Sequence, residues 1–305
     1  MRVLVLGAGV IGSMYASGLS EAGNDVVFLA RGRRLADLRV HGLIVEDAES
    51  GVRTSTASVV GELVPGDRFD LVLVPVRSEQ LLSTLEVLTA MDDGSPVLFF
   101  GNTAGHRVEL TAALGDRALF GFPAIGGFHD VAVIRFVLID RQTTTIGERS
   151  GLTTPRVLAF RELLEAAGFP TRISAVMDDW LTAHAAFVVP MAFALYRDGT
   201  DPAALAADGR TLRVMVRATR QAFKGLRAAG NAEIPANLNA LYRWVPTPLV
   251  VRYWRRVLAD ARGELWFAAH SRAAPEEMRA VADDLQAVMR HLGTSTPDLD
   301  DLLGR

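Results

Sequence analysis

The pattern of apolar and polar positions in the first half of the chain predicts strands that alternate with helices. Apolar runs of strand length occur at residues 2–6 and 25–30, and again within residues 70–81 and 96–105. Between the first two runs, the segment SMYASGLSEAG has its apolar residues at helical spacing. Buried strands that alternate with helices are typical of an α/β domain built on a parallel sheet.

The second half of the chain has a different pattern. Further strands are predicted in RALFGFPAIGG and in TTTIGE, and strand signals fade after GFPTRIS. Helical periodicity then occupies segments 175–197, 202–229, 236–243, 247–270 and 275–292. We therefore predict a sheet domain of residues 1–172 and an all-helical domain of residues 173–305. The tail after Gly293 is polar and acidic, and we expect it to fray.

A glycine motif lies between the first predicted strand and the first predicted helix. Strand, Gly-x-Gly-x-x-Gly, helix and second strand follow each other within about thirty residues, which is the dinucleotide-binding pattern. Gly7 permits the tight turn, Gly9 lets the backbone approach a pyrophosphate, and Gly12 lets helix and strand pack closely. We predict a Rossmann-type site formed by Gly7, Ala8, Gly9, Val10, Ile11 and Gly12. A purely structural glycine turn is the less favoured alternative.

The residues after the second strand predict which dinucleotide binds. An NAD site usually has an acidic residue there, which accepts hydrogen bonds from the ribose. Here the strand runs into Arg31, Arg33 and Arg34, with no acid. Because a guanidinium pairs with a 2′-phosphate that a carboxylate would repel, we predict NADPH and assign Arg31 to that phosphate. The alternative is that these are solvated loop arginines, and it is favoured for Arg33 and Arg34.

Two polar residues follow the next strands. Arg77 comes after the strand in DLVLVPV, and Asn102 comes after the strand in PVLFF. In an open parallel sheet, ligands bind at the carboxyl ends of the strands. Asn102 can both donate and accept hydrogen bonds, which suits a site beside a carboxamide and a substrate oxygen. The alternative for Asn102, a turn residue that binds its own backbone, remains open.

Composition narrows the classes of function. The net charge is −3, so no strong positive field attracts nucleic acid or an anionic membrane. The chain has no cysteine, which excludes disulfides and thiolate metal sites and indicates a reducing compartment. No uncharged apolar run reaches the ~18 residues of a membrane span, and the N-terminus reads directly into a strand rather than a leader. We expect a cytoplasmic protein with a small-molecule substrate and no metal.

At this point the sequence resembles the ketopantoate reductase (2-dehydropantoate 2-reductase) family. The motifs that carry the resemblance are GAGVIGS, VVFLARGRRLADLRVHGLIV, VPVRSEQL, FFGNTAG, AIGGFHD and TIGE. The resemblance implies an NADPH-dependent carbonyl reductase of small 2-keto acids, commonly a dimer, with a fold like that of 6-phosphogluconate dehydrogenase. It implies that Arg77 replaces a lysine usual in the family, that Asn102 contacts cofactor and substrate, and that Gly126 lies near the nicotinamide.

The resemblance changes where the helical domain begins. The family has a tryptophan there, a catalytic lysine two residues later, and two asparagines before a proline. Trp180 and Pro190 match these landmarks, but Thr182 stands at the lysine position and both asparagines are missing. The only lysine of the chain is Lys224, far from this segment. The family's later catalytic glutamate corresponds to Glu264.

His184 is the titratable residue nearest to the missing lysine. On a helix its neighbours at three and four residues are all apolar, which favours a core histidine. The alternative is a proton donor, because the reference pKa of ~6.5 suits proton transfer near neutral pH. For whatever reaction occurs we predict His184 as the proton donor, with His270 as the second choice. Substrate-carboxylate binding or a solvated helix face are the two interpretations of Arg252, Arg255, Arg256 and Arg262.

The sequence therefore predicts an NADPH-dependent oxidoreductase that transfers hydride to a carbonyl of a small acid other than ketopantoate. Fold analogy puts the substrate in a cleft between the two domains, with Asn102 orienting the acceptor. An imine reductase or opine-type dehydrogenase is a rival, because an acceptor that is already protonated needs a weaker acid. A catalytically silent NADPH-binding regulatory protein is a rival of another class. We expect a homodimer.

Overall fold

A computed structural model describes residues 1–47, 51–64, 66–91, 94–103, 105–130, 133–138, 143–231 and 233–304, with only the backbone for 47, 126–130 and 135–138. The chain divides into two compact units, Met1–Met177 and Asp178–Arg305. The first unit ends later than the predicted boundary at residue 172. The reason is that Thr171–Ile173 forms one more strand, paired with Thr144–Ile146, and so belongs to the sheet.

The first unit contains twelve strands in two sheets within the described residues. The strands are β1 (Arg2–Leu6), β2 (Asp25–Leu29), β3 (Leu43–Asp47), β4 (Gly51–Ser55), β5 (Ser58–Val60), β6 (Leu71–Val74), β7 (Val97–Phe100), β8 (Ala118–Phe122), β9 (Ile125–Asp130), β10 (Val133–Leu138), β11 (Thr144–Glu148) and β12 (Thr171–Ile173). Its α-helices are α1 (Val10–Glu21), α2 (Gly32–His41), α3 (Leu85–Ala90), α4 (Arg107–Leu114) and α5 (Pro155–Ala166).

The large sheet has the order β12-β11-β8-β7-β6-β1-β2-β5. Strands β5, β2, β1, β6, β7 and β8 are parallel. All except β5 coincide with strands predicted from the sequence. Strand β11 pairs antiparallel with β8, so the sheet is mixed at this end. The predicted α/β fold class, with a parallel sheet domain followed by a helical region, is confirmed.

A second sheet, in the order β4-β3-β10-β9, was not predicted. Its strands β3 and β4 form an antiparallel hairpin, and β10 joins β3 in parallel register from far along the chain. Strand β4 is exposed at alternate positions, and such a half-exposed strand has only a weak apolar signal. This sheet packs against α1, on which the large sheet also packs.

Helix α1 is held to the large sheet by apolar packing and one buried hydrogen bond. Tyr15 is fully buried, with its ring 4.8 Å from Phe100 and 4.2 Å from Phe169 between centroids. Its hydroxyl lies 2.8 Å from Thr144 Oγ1 on β11, so the only polar group of the ring is satisfied. The helix that carries the glycine motif is therefore fixed at two strands of the sheet as well as at its own turn.

The second unit is helical over its described residues. The helices are α6 (Met177–Arg197), α7 (Pro202–Ala207), α8 (Gly209–Ala228), α9 (Ala236–Trp244), α10 (Thr247–Leu258), α11 (Ala261–Gly263), α12 (Ala269–Ala273), α13 (Pro275–His291) and α14 (Pro297–Leu303). A π-helical segment, Glu264–Ala268, connects α11 to α12. The predicted segment 202–229 is divided at Asp208, whose carboxylate accepts from Arg210 N at 2.8 Å and caps α8. No helix among the described residues is long and apolar enough to cross a membrane.

The expectation of a frayed tail after Gly293 is wrong. Leu299 and Leu302 of α14 are buried, and α14 packs against α8. Asp298 forms an ion pair with Arg217 at 2.6 Å and accepts from Gln221 at 2.6 Å. Two leucines three residues apart give this short acidic helix one apolar face, which the polar composition of the tail concealed.

Candidate functional site

The residues predicted from the first half of the chain follow adjacent parallel strands. Gly7 follows β1, Arg31 follows β2, Arg77 follows β6 and Asn102 follows β7. The strand order β7-β6-β1-β2 makes these four strands neighbours, and all run in the same direction. Their carboxyl ends therefore share one edge of the sheet, which is where open α/β sheets bind ligands.

Two of the three glycines are required by packing. A Cβ atom on Gly12 would overlap the carbonyl oxygen of Gly7, so only glycine lets α1 start this close to β1. Gly7 has φ +129°, and a Cβ there would lie 2.6 Å from Val76 Cγ1 on the neighbouring strand end. The turn between β1 and α1 is therefore built by backbone contacts that no larger residue permits.

Gly9 differs from the other two because a Cβ atom there would meet nothing within 4 Å. It is the N-cap of α1, with φ −76° and ψ −173°, a conformation open to any residue. Within the described residues no side chain caps this helix end, and its first turn contains no acid. The first N–H groups of α1 thus face open space beside a positive helix end, which fits the phosphates of a dinucleotide.

The three arginines after β2 are not equivalent. Arg31 is the N-cap of α2 and is exposed, as is Arg33. Arg34 is half-buried: its Nε donates to the carbonyl oxygen of Ala8 at 3.2 Å, and Nη2 lies 3.5 Å from Ser13 Oγ. The expectation that Arg34 is a solvated loop residue is therefore wrong. Its place three residues after the N-cap turns it toward the glycine loop.

The turns after β6 and β7 carry Arg77 and Asn102. Arg77 is exposed, and its backbone N–H donates to Gln80 Oε1 at 3.4 Å. Asn102 is half-buried and follows Gly101, whose φ of +149° is in the region that favours glycine. Both the site and the turn interpretations of Asn102 remain predictions.

Two hydroxyl residues beside them were missed by sequence reasoning. Ser78 follows Arg77 and Thr103 follows Asn102, and both are buried at the carboxyl edge of the sheet. Neither hydroxyl has a hydrogen-bond partner among the described residues. Buried polar groups are nearly always satisfied, so ordered water or a ligand is expected here. No pattern in the sequence distinguishes these two residues from ordinary loop hydroxyls.

Gly126 lies on β9, opposite Val137 of β10, four residues after the end of β8. Strand β8 is parallel to β7, so its carboxyl end lies at the same sheet edge. That Gly126 lies near the nicotinamide stays a prediction.

In the second unit, α6 carries Trp180, Thr182 and His184. The Thr182 hydroxyl donates to the Asp178 carbonyl at 2.8 Å, within its own helix turn. The rings of Trp180 and His184 are stacked, with centroids 5.3 Å apart and planes 6° from parallel. Burial, and to a smaller extent the charge of His270, lowers the pKa of His184 to about 3. A pKa this low agrees with the interpretation of His184 as a core histidine, and its role as a proton donor stays a prediction.

His270 has different surroundings. About half of its side chain is exposed, and its Nε2 lies 3.9 Å from Oε1 of Glu277, a carboxylate that is only 5% exposed. The imidazole of His270 is thus accessible to solvent and lies beside a carboxylate. Glu277 on α13 was not singled out from the sequence, because only the packing of α12 against α13 brings it to His270.

Glu264, the candidate catalytic glutamate, pairs with Arg272 through two hydrogen bonds of 2.9 and 3.2 Å. Both side chains are about half exposed. Arg272 also donates to the Thr200 carbonyl at 3.1 Å, so the three residues form a surface network. A role for Glu264 at a substrate stays a prediction.

The helical arginines match the solvated interpretation. The residues Arg252, Arg255, Arg256 and Arg262 are all exposed. Arg255 Nε donates to the Ala206 carbonyl at 3.0 Å, and Arg262 pairs with Asp260 at 3.5 Å. No cluster of three or more potential metal ligands occurs in the part of the chain that the structure describes.

The fold of the first unit and its glycine motif are typical of Rossmann-type domains that bind a dinucleotide. The model of the ketopantoate reductase PanE/ApbA family matches residues 3–151. This match lies in the first unit, so that part of the chain is similar to the ketopantoate reductase family.

Individual proteins agree with this similarity. The 2-dehydropantoate 2-reductase of Pyrococcus horikoshii is 27% identical over 184 residues, which cover 59% of this chain and 58% of the relative. The chain thus spans little more than half the length of the curated relatives it matches. The crystal structure of 2-dehydropantoate 2-reductase from Geobacter metallireducens has a TM-score of 0.77 at 18% identity, covering 99% of this chain and 97% of that one. D-mandelate dehydrogenase, solved with NADH and anilino(oxo)acetate, has a TM-score of 0.75 at 15% identity, covering 99% and 96%.

We expect opposite effects from alanine substitutions at Gly9, the N-cap of α1, and at Gly12, in its first turn. Gly9→Ala should keep the free energy of unfolding within about 1 kcal/mol and weaken cofactor binding, because its methyl group enters only the open space. Gly12→Ala should lower that free energy by about 1–3 kcal/mol, the usual cost of overpacking. Urea unfolding and titration with NADPH, each on both variants, measure the two effects. Unchanged cofactor affinity in Gly9→Ala would return the motif to a structural turn.

The low pKa of His184 predicts a contribution to acid sensitivity. Between about pH 6.5 and pH 3 the unfolded chain binds a proton at this residue that the folded chain does not, so stability is lost as pH falls through that window. From pH 7 to pH 4 the unmodified protein should lose about 1–3 kcal/mol more than His184→Gln, a range that allows for partial exposure of the ring. Urea unfolding at both pH values measures the difference.

The control for that experiment is His291→Gln, which removes an exposed imidazole from the same unit. It should keep the pH dependence of the unmodified protein. An identical loss of stability in all three proteins would show that His184 is solvated.

Proposed function

We propose that this chain is an NADPH-dependent reductase of a small 2-oxo acid or a related carbonyl compound. The observation that carries the proposal is the carboxyl edge of the large sheet. There an open glycine loop at the N-terminus of α1 lies next to a strand that is followed by Arg31, the N-cap of α2, rather than by an acid. A bound nicotinamide supplies hydride to a carbonyl carbon.

The choice of NADPH rests on charge. Among the described residues the first turn of α2 contains no acid, and it begins with the exposed Arg31. A guanidinium at this position can form two parallel hydrogen bonds to a phosphate. D-mandelate dehydrogenase, a structural neighbour, was solved with NADH, so the fold alone does not decide between the cofactors.

Carbonyl reduction needs a proton donor, and the second unit offers three candidates that we compare: Thr182, His184 and His270. Thr182 is a weak acid whose hydroxyl is engaged with Asp178, and His184 is neutral at pH 7 because its pKa is about 3. The side chain of His270 is about half exposed, and its Nε2 lies 3.9 Å from the carboxylate of Glu277. We therefore assign the donor role to His270 instead of His184, and the role of orienting the acceptor to Asn102.

The substrate class follows from what the second unit offers. A ketopantoate-binding site like that of the family would need the lysine that Thr182 replaces, so ketopantoate is a poor candidate. Half-buried Phe187 and Phe267, with ring centroids 6.0 Å apart, provide apolar surface in the same unit as His270. The neighbour D-mandelate dehydrogenase was solved with the aryl 2-oxo acid derivative anilino(oxo)acetate. We propose aryl 2-oxo acids as the first substrates to test.

Imine reduction is the second candidate, and the state of His184 favours it. A protonated imine already carries the proton that a ketone must receive, so a helix with neutral His184 and an engaged Thr182 would suffice. A regulatory protein that binds NADPH without turnover is the outcome if no acceptor reacts.

The cofactor proposal predicts the effect of charge reversal. NADPH should bind the unmodified protein at least ~10-fold more tightly than NADH, about 1.4 kcal/mol. Arg31→Asp should erase or reverse this preference, because a carboxylate repels the 2′-phosphate. The matched control is Arg33→Asp in the same helix turn. Calorimetric titration of each of the three proteins with both cofactors gives its ratio of NADPH to NADH affinity. Equal affinities in the unmodified protein would refute the choice of NADPH.

The substrate proposal predicts a ranking of acceptors. With NADPH, phenylglyoxylate should be reduced with a higher kcat/KM than ketopantoate, measured by loss of nicotinamide absorbance. Efficient turnover of ketopantoate would show that the substrate half retains the family's activity. Turnover of a cyclic imine alone would select the second candidate.

The donor assignment predicts the effect of removing His270. His270→Gln should lower kcat for the best ketone about 10²-fold, the usual worth of a positioned acid, and leave the NADPH dissociation constant unchanged. His291→Gln serves as the control. Full activity in His270→Gln would return the donor role to water or to another residue.

A further inference from the structure

Arg34 is the one arginine of the α2 turn that contacts the glycine loop. Its Nε lies 3.2 Å from the Ala8 carbonyl oxygen, and its Nη2 lies 3.5 Å from Ser13 Oγ. The first contact reaches the loop before α1, and the second reaches the first turn of α1 itself. The side chain therefore joins the start of α2, after β2, to the turn after β1.

Arg34 has a carboxylate on its own helix, Asp37, but forms no ion pair with it. Half burial lowers the pKa of its guanidinium, opposed by the charge of Asp37 on the same helix. Among the described residues no carboxylate forms an ion pair with Arg34. A guanidinium near the positive end of α2 is unfavourable by itself, and a nearby anion would offset that cost.

The Ala8 carbonyl belongs to the same peptide unit as the Gly9 N–H. That unit is trans and planar, so its carbonyl and its N–H point in opposite directions. A hydrogen bond that fixes the carbonyl toward Arg34 thereby fixes the direction of the Gly9 N–H. Gly9 is the residue whose side-chain position is open and whose helix end has no side-chain cap among the described residues.

We infer that Arg34 is a second cofactor-recognition residue, which positions the Ala8–Gly9 peptide for the diphosphate that NADPH and NADH share. This inference rests on the proposed function. It divides the work between two arginines: Arg31 determines the preference between the cofactors, and Arg34 determines the affinity for both.

Binding measurements on matched variants test this division. Arg34→Gln should raise the dissociation constants of NADPH and NADH by the same factor, about fivefold, corresponding to the loss of one charged hydrogen bond at a half-buried position. Arg31→Gln should raise the constant of NADPH alone. Arg33→Gln, which removes an equal charge from an exposed position in the same turn, should change neither. Calorimetric titration with each cofactor gives all six ratios.

A lysine variant separates geometry from charge. Arg34→Lys keeps the charge but loses the planar fork that reaches Ala8 and Ser13 together, so its affinities should stay close to those of Arg34→Gln. Thermal unfolding without cofactor shows whether each variant is folded, and the Lys variant replaces the Gln variant if the latter is not.

Four outcomes overturn the inference. Full recovery in Arg34→Lys would show that charge alone matters, and a loss restricted to NADPH would make Arg34 a ligand of the 2′-phosphate. Unchanged affinities in Arg34→Gln would refute it while the proposed function stands. Failure of the unmodified protein to bind either cofactor would refute both.

Discussion

The structure of the first unit depends on how closely α1 approaches β1. Gly12 leaves no room for a side chain against the Gly7 carbonyl, and this contact sets the distance from the helix to the sheet. Because the helix starts there, its unpaired N–H groups lie at the carboxyl edge beside Arg31 and Arg77. One turn further along α1, the hydroxyl of Tyr15 is hydrogen-bonded to Thr144 of β11, and this contact fixes the orientation of the helix on the sheet. A cofactor site made mostly of backbone requires this rigidity, since backbone groups cannot adjust as side chains do.

Helix α6 of the second unit differs from the family pattern in its polar residues. The helix that the family resemblance associates with a lysine is α6, and here it presents a threonine engaged with its own backbone and a histidine that burial keeps neutral. The group with a buried carboxylate neighbour is His270, on another helix. An ammonium group holds a carboxylate substrate by charge as well as giving a proton. The absence of a lysine from α6 is therefore the reason why we propose an acceptor other than ketopantoate.

The sequence predicted those parts of the fold that local patterns encode. The glycine motif, the parallel strands and most helix bounds follow from apolar spacing, turn residues and caps such as Asp208. The small sheet could not be predicted, because β10 pairs with β3 across a long separation in the sequence, which no local pattern encodes. Arg34 and Glu277 were missed for a related reason. Their importance lies in partners, Ala8 and His270, that only the folded chain brings near them.

The π-helical segment Glu264–Ala268 has a consequence for the helix that follows it. A π-turn holds one more residue than an α-turn, and one residue corresponds to a rotation of about 100° around the helix axis. Every side chain after the segment is therefore turned by more than a quarter of a circle from where a regular helix would put it. His270 is two residues past the segment, so its position opposite Glu277 depends on that extra residue. In evolutionary terms, the insertion of one codon in this segment can change the direction of the His270 side chain without replacing any residue of the core.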